Sequence, residues 1–542
     1  MMARVTTATR WPQAFGRRGM VASPHTLASR TGQSVFAAGG NALDAAIAAA
    51  TTIAVVYPHM NGLGGDNVWL IYDADRRDLR GLNAAGRSAA TATLESYAAR
   101  DGAAIRPRGG AAALTVPGVV SGWWQAHRYS ATVMGSPITW PALLADAVAH
   151  ARDGIVVSGG QRRVTAAATD LFSDRAPAEV RGTLWPTYHP ARLEVPRFVQ
   201  ADLARTLAQL AADGGEAFYR GELAARVAAA AGRAGSPLTE ADFAEHTADW
   251  VEPLRVRYRE GEAASLPPPT QGFAALAILA LLEGFDVGAL DEAPYVHLVV
   301  EASKLAFADR DAVLTDPTVV PVDVERCLDP SRLAERRRRI GSRAAPVGSG
   351  GPAGGDTVAI VTADARGNAV SLIQSLYYEF GSGVVAGDTG VLLQNRGAFF
   401  SLDPTHPNRL APRKRTAHTL IPSMYLSGGR PRFVYGTMGG EGQPQTHAAL
   451  LTRIIDRGLE PQAAVEAPRW LLGRTWGEET NALRLEDRFP PGTAETLRDR
   501  GHDVRLVEPW SDLMGHAHVI RLDAGGRVGA SDPRADGAAL GD

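Results

Sequence analysis

The sequence predicts an α+β protein in which β-sheets are sandwiched between helices, and three observations lead there. A nearly all-apolar, alanine-rich helix at 40–57 runs through a glycine turn into a strand; a largely helical stretch occupies 142–311; and β-rich runs begin abruptly after a glycine-rich break at 341–356. Alternating helix and strand blocks are what a layered architecture requires, because each sheet face needs a partner that buries it.

In chain order, GNALDAAIAAATTIAVVY (40–57) reads as helix, since Gly40-Asn41 starts it, alanine sustains it and Pro58 ends it. Such a helix is expected to be buried. Asn61-Gly62-Leu63-Gly64-Gly65-Asp66-Asn67 then turns into a strand from Val68 to Tyr72. These glycines follow a helix and precede a strand, the reverse of the dinucleotide-binding order, so nucleotide binding is not indicated. In the middle, Ala201 to Ala212, Gly221 to Ala234 and Val296 to Asp311 are amphipathic runs suited to scaffolding. Pro267-Pro268-Pro269-Thr270-Gln271-Gly272 is a rigid turn ahead of another Ala/Leu helix, a loop able to line a pocket. The stretch GSRAAPVGSGGPAGGD (341–356) has the composition of a flexible connection. Beyond it, Val358 to Thr362 and Ala369 to Ser375 form a predicted hairpin around Asp364-Ala365-Arg366-Gly367-Asn368. Phe433 to Tyr435 is a further strand, followed by Gly436-Thr437-Met438-Gly439-Gly440 and a helix from about Pro444 to Arg457.

The bulk numbers exclude several function classes. With 542 residues a sizeable core is available, and length alone does not settle the domain count. Lys+Arg 56 against Asp+Glu 58 gives a net charge of -2, too balanced to draw the chain to nucleic acid or an anionic membrane. A small-molecule partner is expected. Cys327 is the single cysteine, which excludes an internal disulfide and a multi-thiolate metal site. The 13 histidines contain no HExxH pattern, and His516 and His518 lack an acidic third ligand in sequence, so neither metal nor cofactor is expected. No GxSxG elbow is present. Met1 to Gly19 has no apolar core of a secretory signal, and no run approaches the roughly 20 apolar residues of a membrane span; a cytoplasmic protein is expected.

The most informative residue is Thr357, where the glycine-rich break meets the apolar strand. If the bond between Asp356 and Thr357 breaks, Thr357 gains an α-amine beside its own hydroxyl, so nucleophile and base reside on one residue. On composition alone the same stretch also reads as an ordinary surface loop.

The ordered set of motifs resembles the γ-glutamyltranspeptidase family of N-terminal nucleophile hydrolases, from about Gly19 to Arg534. It comprises Gly39-Gly40-Asn41-Ala42, Gly62-Leu63-Gly64-Gly65, Gly86-Arg87, Val116-Pro117-Gly118 and Ala306-Phe307-Ala308-Asp309-Arg310. After the break come Gly367-Asn368-Ala369-Val370-Ser371, Phe380-Gly381-Ser382-Gly383, Lys414-Arg415, Gly439-Gly440, Ala467-Pro468-Arg469 and Ser531-Asp532-Pro533-Arg534. The resemblance implies a four-layer αββα sandwich, cut before Thr357 into a large chain (1–356) and a small chain (357–542) that together form one fold, with a dimer of such pairs possible. It implies further that Thr357 is the nucleophile, that Ser375 is its hydroxyl partner, that the amides of Gly439 and Gly440 receive the oxyanion, and that Arg87 binds the substrate carboxylate. Asn368 is implied to be structural.

The family's α-amino pocket is replaced here. Its asparagine, glutamine and aspartate correspond to Tyr377, Arg396 and Phe399, and its paired serines to His418 and Thr419. A substrate ammonium would meet Arg396 in place of an anion, which disfavours a γ-glutamyl group. The stretches 394–403, His406-Pro407-Asn408 and 414–419 resemble a subgroup that includes oxamate amidohydrolase, implying a short acidic acyl group in a smaller, more basic pocket. Carbon–carbon cleavage of an oxalyl-type fragment, as in alkylproline antibiotic pathways, stays open at this point. So do glutaryl or cephalosporin acylase activity, γ-glutamyl hydrolysis or transfer, and an uncleaved carboxylate-binding relative.

Overall fold

The computed structural model describes residues 9–346, 356–473 and 480–542. Most of the predicted connection, 347–355, lies outside them.

Two seven-stranded sheets form the centre. The first runs in the order Ala538–Gly541, Gly19–Ser23, Asp356–Asp364, Ala369–Tyr377, Asp66–Asp73, Asp78–Asn83 and Asp249–Val251. The second runs Ala14–Gly16, Gly526–Ser531, Ala517–Asp523, Arg430–Thr437, Ser423–Ser427, Gly261–Ser265 and Leu254–Tyr258. All these pairings are antiparallel.

Strand residues point alternately to opposite faces, and here both faces are buried. Val358 and Ile360 pack outward against the helix Ala42–Val56, whereas Ala359, Val361 and Ala363 point inward to meet Met424, Val434 and Ile520 of the second sheet. On the far side, Phe433, Tyr435 and Val519 pack against Gly272–Leu282, Glu292–Val313 and Gln443–Ile455. Three apolar layers thus separate helix, sheet, sheet and helix, which is the αββα arrangement.

The helix Ala42–Val56 is buried along its entire length, as its composition predicts. Asn41 caps it: its side-chain oxygen accepts from the Leu43 and Asp44 amides, and Asp44 accepts the Asn41 N–H in return at 2.9 Å. The hairpin of 356–377 turns at Asp364 and Asn368, whose side chains bond each other at 2.7 Å; Asn368 serves the turn. The middle of the chain is less uniformly helical than expected. Asp249–Val251, Leu254–Tyr258 and Gly261–Ser265 are strands that supply one end of each sheet.

Candidate active site

Thr357 sits at a disturbance in the sheet. Asp356 pairs with Tyr377, but Val358 pairs with Gln374, so Ser375 and Leu376 together face Thr357 in a β-bulge. A bulge re-aims the side chains around it. Here it sets the Thr357 hydroxyl 3.3 Å from the Ser375 hydroxyl, which also accepts the Tyr377 N–H at 2.8 Å. Tyr377 itself has φ +85, a left-handed conformation rarely held by a bulky residue, at the point where the strand leaves the sheet.

Arg396 lies over the Tyr377 ring at 4.0 Å. Its guanidinium is buried, and one terminal nitrogen donates to the Thr419 hydroxyl at 3.2 Å. Its Nε and second terminal nitrogen have no protein acceptor among the described residues. That free edge has the forked geometry that matches a carboxylate. Burial pushes Arg396 down to about 10, with the Tyr377 ring opposing the shift, and leaves it cationic at neutral pH.

His418 precedes Thr419, and both are fixed by the proline-rich turn. The His418 N–H donates to Pro269 O at 2.7 Å, and the Gln271 N–H donates to His418 O at 2.9 Å. The His418 ring meets Asp66 through Nε2 at 3.2 Å. The pocket is therefore less basic than the sequence implied: burial, aided by Arg396, pushes His418 down to about 4, so its ring is neutral at pH 7.

Gly439 and Gly440 follow the strand Arg430–Thr437 with φ +130 and +51, and side chains are strained in that region. The recorded bonds at these glycines use their carbonyls: Gly442 N–H donates to Gly439 O at 2.8 Å, and the Gln271 side chain to Gly440 O at 2.9 Å. The same Gln271 amide reaches Thr419 O at 2.9 Å, and Arg310 holds its carbonyl at 3.0 Å. Gln271 thereby ties the Arg396–Thr419 pocket to the glycine pair. Gly515 backs the loop closely, since a Cβ there would stand 2.3 Å from Met438 O. Arg469 fixes Gly515 through its carbonyl at 2.7 Å and is itself paired with Asp532 at 2.6 Å.

The structure brings Thr357, Ser375, Tyr377, Arg396, His418 and Thr419 into one connected set. Arg87 pairs with Asp316 at 3.2 Å, also meets Thr318 and Arg413 O, and has a side chain 35% exposed. Sequence reasoning missed Asp66, Gln271 and Arg310. Asp66 accepts the Gly86 and Gly118 amides at 2.9 and 3.2 Å and the Gln394 side chain at 3.0 Å. Two glycine motifs thus converge on the carboxylate that follows a third, Gly62-Leu63-Gly64-Gly65, and only the fold brings them together. Added Cβ atoms at Gly86 and Gly118 would lie 1.6 and 1.5 Å from backbone carbonyl oxygens, so only glycine admits this approach.

A cavity of about 40 Å³, lined in part by Gln271, Phe399, Ala417, Thr419 and Glu441, opens beside the pocket. Among the described residues, His297, Glu301 and His502 form a buried cluster of metal-ligand type. Its donor atoms are already engaged, because the two rings bond each other at 2.8 Å and Lys304 meets Glu301 at 2.7 Å. His516 and His518 face Asp512 and Ser531 respectively. No helix of the described residues is long and apolar enough to cross a membrane.

The chain is 46% identical over 525 residues to the oxamate amidohydrolase proenzyme of Klebsiella pneumoniae, covering 96% of this chain and 98% of that protein. It is 44% identical over 540 residues to the glutathione hydrolase-like YwrD proenzyme of Bacillus subtilis, covering 97% and 99%. Among solved structures, the cephalosporin acylase from Bacillus halodurans superposes with a TM-score of 0.90 at 36% identity, covering 99% of this chain and 98% of that one. The gamma-glutamyltranspeptidase family model matches residues 28–542, and the chain belongs to that family of N-terminal nucleophile hydrolases.

Proposed function

We propose that the protein is a self-processing N-terminal threonine amidohydrolase that cleaves the amide of a small acidic acyl group of the oxamate type. The observation that carries this reading is Arg396, a buried guanidinium with an unpartnered Nε edge, placed against the Tyr377 ring two residues from the Ser375 partner of Thr357. A buried cation that meets no carboxylate side chain among the described residues suits a substrate that brings its own. Gly439-Gly440 and the likeness to an oxamate amidohydrolase proenzyme support the same reading.

Cleavage between Asp356 and Thr357 leaves a large chain of 1–356 and a small chain of 357–542, and frees an amine with a reference pKa of about 7.7 to 8.0. The Thr357 hydroxyl attacks the amide carbonyl carbon and its proton passes to that amine, while the oxyanion is received by the Gly439 and Gly440 amides. The carbon–nitrogen bond then breaks. The amine's proton goes to the departing nitrogen, which leaves as ammonia, and an oxalyl ester remains on Thr357. Water attacks this ester with its proton passing to the amine, and the ester oxygen recovers a proton as the acid leaves. Arg396 holds the substrate carboxylate throughout.

The test is intact mass under denaturing conditions, followed by ammonia and oxalate release from oxamate, with Thr357→Ala as control. Two chains meeting at Asp356/Thr357, and oxamate turnover exceeding that of a γ-glutamyl anilide, are the expected results. A single uncut chain in both proteins would overturn the threonine assignment, and preference for the γ-glutamyl substrate would overturn the acyl assignment.

A further inference from the structure

His418 has one ring nitrogen on Asp66 and the other, Nδ1, buried with no protein partner among the described residues. A carboxylate only accepts hydrogen bonds, so the nitrogen facing Asp66 must carry the hydrogen and Nδ1 must be bare. Asp66 cannot turn away to relax this. One oxygen is bound by the Gly86 and Gly118 amides and by Gln394, which leaves the other for His418 alone. Asp66 is also the cross-strand partner of Ser375, so this carboxylate is locked into the same sheet as the nucleophile pair. Burial keeps the ring neutral near pH 7, pushing it down to about 4.

We propose that Asp66 is a positioning residue that fixes His418 with Nδ1 as a hydrogen-bond acceptor, and that this acceptor, on the residue before the Thr419 that bonds Arg396, selects an acyl group whose scissile bond carries an N–H. The inference rests on the proposed function and deepens it: the substrate class becomes a primary or secondary amide adjoining a carboxylate, in preference to the corresponding ester. The carboxylate sits on the donors of Arg396, and the amide N–H points to His418.

Asp66→Asn inverts the arrangement with almost no change in shape. The two backbone amides and Gln394 need an acceptor, so the new side-chain oxygen stays on them and the NH₂ group faces His418. The hydrogen of the ring then moves to Nδ1, which becomes a donor and opposes a substrate N–H. The experiment compares kcat/KM for oxamate and for the monomethyl ester of oxalic acid, with the Thr357→Ala rate subtracted. In parallel, ¹⁵N-histidine spectra are recorded, with the His418 signals assigned by their loss in His418→Asn. The expected result is a fall of roughly 10- to 100-fold in the amide-to-ester ratio in Asp66→Asn, together with movement of the hydrogen from Nε2 to Nδ1. In Asp66→Asn/His418→Asn, an amide oxygen can stand where Nδ1 stood, and the ratio should return toward that of the native protein.

Equal loss on both substrates would reduce Asp66 to a structural role and overturn the proposal, as would an unchanged tautomer in Asp66→Asn. If the native protein turns over neither oxalyl substrate, the oxamate reading fails and the substrate preference drawn from it falls too; the ring spectra still decide whether Asp66 sets the tautomer.

Discussion

Replacing Arg396 by glutamine should weaken catalysis and strengthen the fold at the same time. The guanidinium offers two charge-assisted donors to a substrate carboxylate. At about 1.5 to 3 kcal/mol each, and less than additive, their loss should cost about 2 to 4 kcal/mol, or roughly 30- to 1,000-fold in kcat/KM. In the free protein the same charge is a burden, because among the described residues it is buried against the Thr419 hydroxyl and the Tyr377 ring with no carboxylate bonded to it. Lowering from the ordinary arginine value to about 10 in the fold corresponds to about 3 kcal/mol of destabilisation wherever both states are charged. The sign follows from the lowered folded value: the burden is full below about pH 10 and fades above it. Arg396→Gln should therefore unfold at a temperature equal to or above that of the native protein at pH 7, measured by calorimetry or thermal shift. Arg87→Gln serves as the comparison. Since Arg87 is already paired with Asp316, its loss should cost less than about 10-fold on the same substrate. Unchanged kinetics in Arg396→Gln, or a larger loss in Arg87→Gln, would refute the assignment of the acid to Arg396.

Other expectations follow from individual contacts. Ser375→Ala removes the hydroxyl 3.3 Å from that of Thr357 and should slow both chain cleavage and turnover, read by the time course of intact mass and by oxamate kinetics. Gly515→Ala places a Cβ 2.3 Å from Met438 O at a position with φ +77, and should lower kcat by at least 10-fold through displacement of the glycine pair, with KM less affected. Gln271→Ala unties Gly440 from Thr419 and should lower kcat and raise KM together, whereas an effect on KM alone would contradict that bridge. Burial holds His25, His246, His418 and His502 near 4 and His447 and His518 near 3, all below their unfolded value of 6.5. The unfolded chain therefore binds more protons as pH falls below 6.5, and the melting temperature should drop steeply between pH 6.5 and 4. His447→Leu, which removes a ring with no partner on either nitrogen among the described residues, should shallow that drop.

The layered core was legible because its strands are short, nearly all-apolar runs that need cover on both faces: Val358 and Ile360 face one side, Ala359 and Val361 the other. The strands between 249 and 265 were not, since Leu254-Arg255-Val256-Arg257-Tyr258 is only five residues long and is flanked by convincing helices. Pairing with Ser423–Ser427 makes Gly261–Ser265 a strand, and that partner lies more than 150 residues away. Thr357 and Ser375 could be named from motif and spacing. Asp66 could not, because an acidic residue after a glycine run acquires meaning only when Gly86, Gly118, Gln394 and His418 arrive from four other segments. The neutral ring of His418 was not legible for a related reason: protonation depends on burial, which a linear reading does not supply.

The interleaving of the first sheet constrains how such a protein can be inherited. The strand that begins at Asp356 lies between Gly19–Ser23, from the early part of the chain, and its own hairpin partner, which in turn abuts Asp66–Asp73. A gene divided before Thr357 would encode two products, each with raw sheet edges that only the other can cover. Such halves would have to be made together and would rescue each other in mixture, whereas neither could be traded for the corresponding half of a distant relative without re-fitting five strand seams at once, three in this sheet and two in the other.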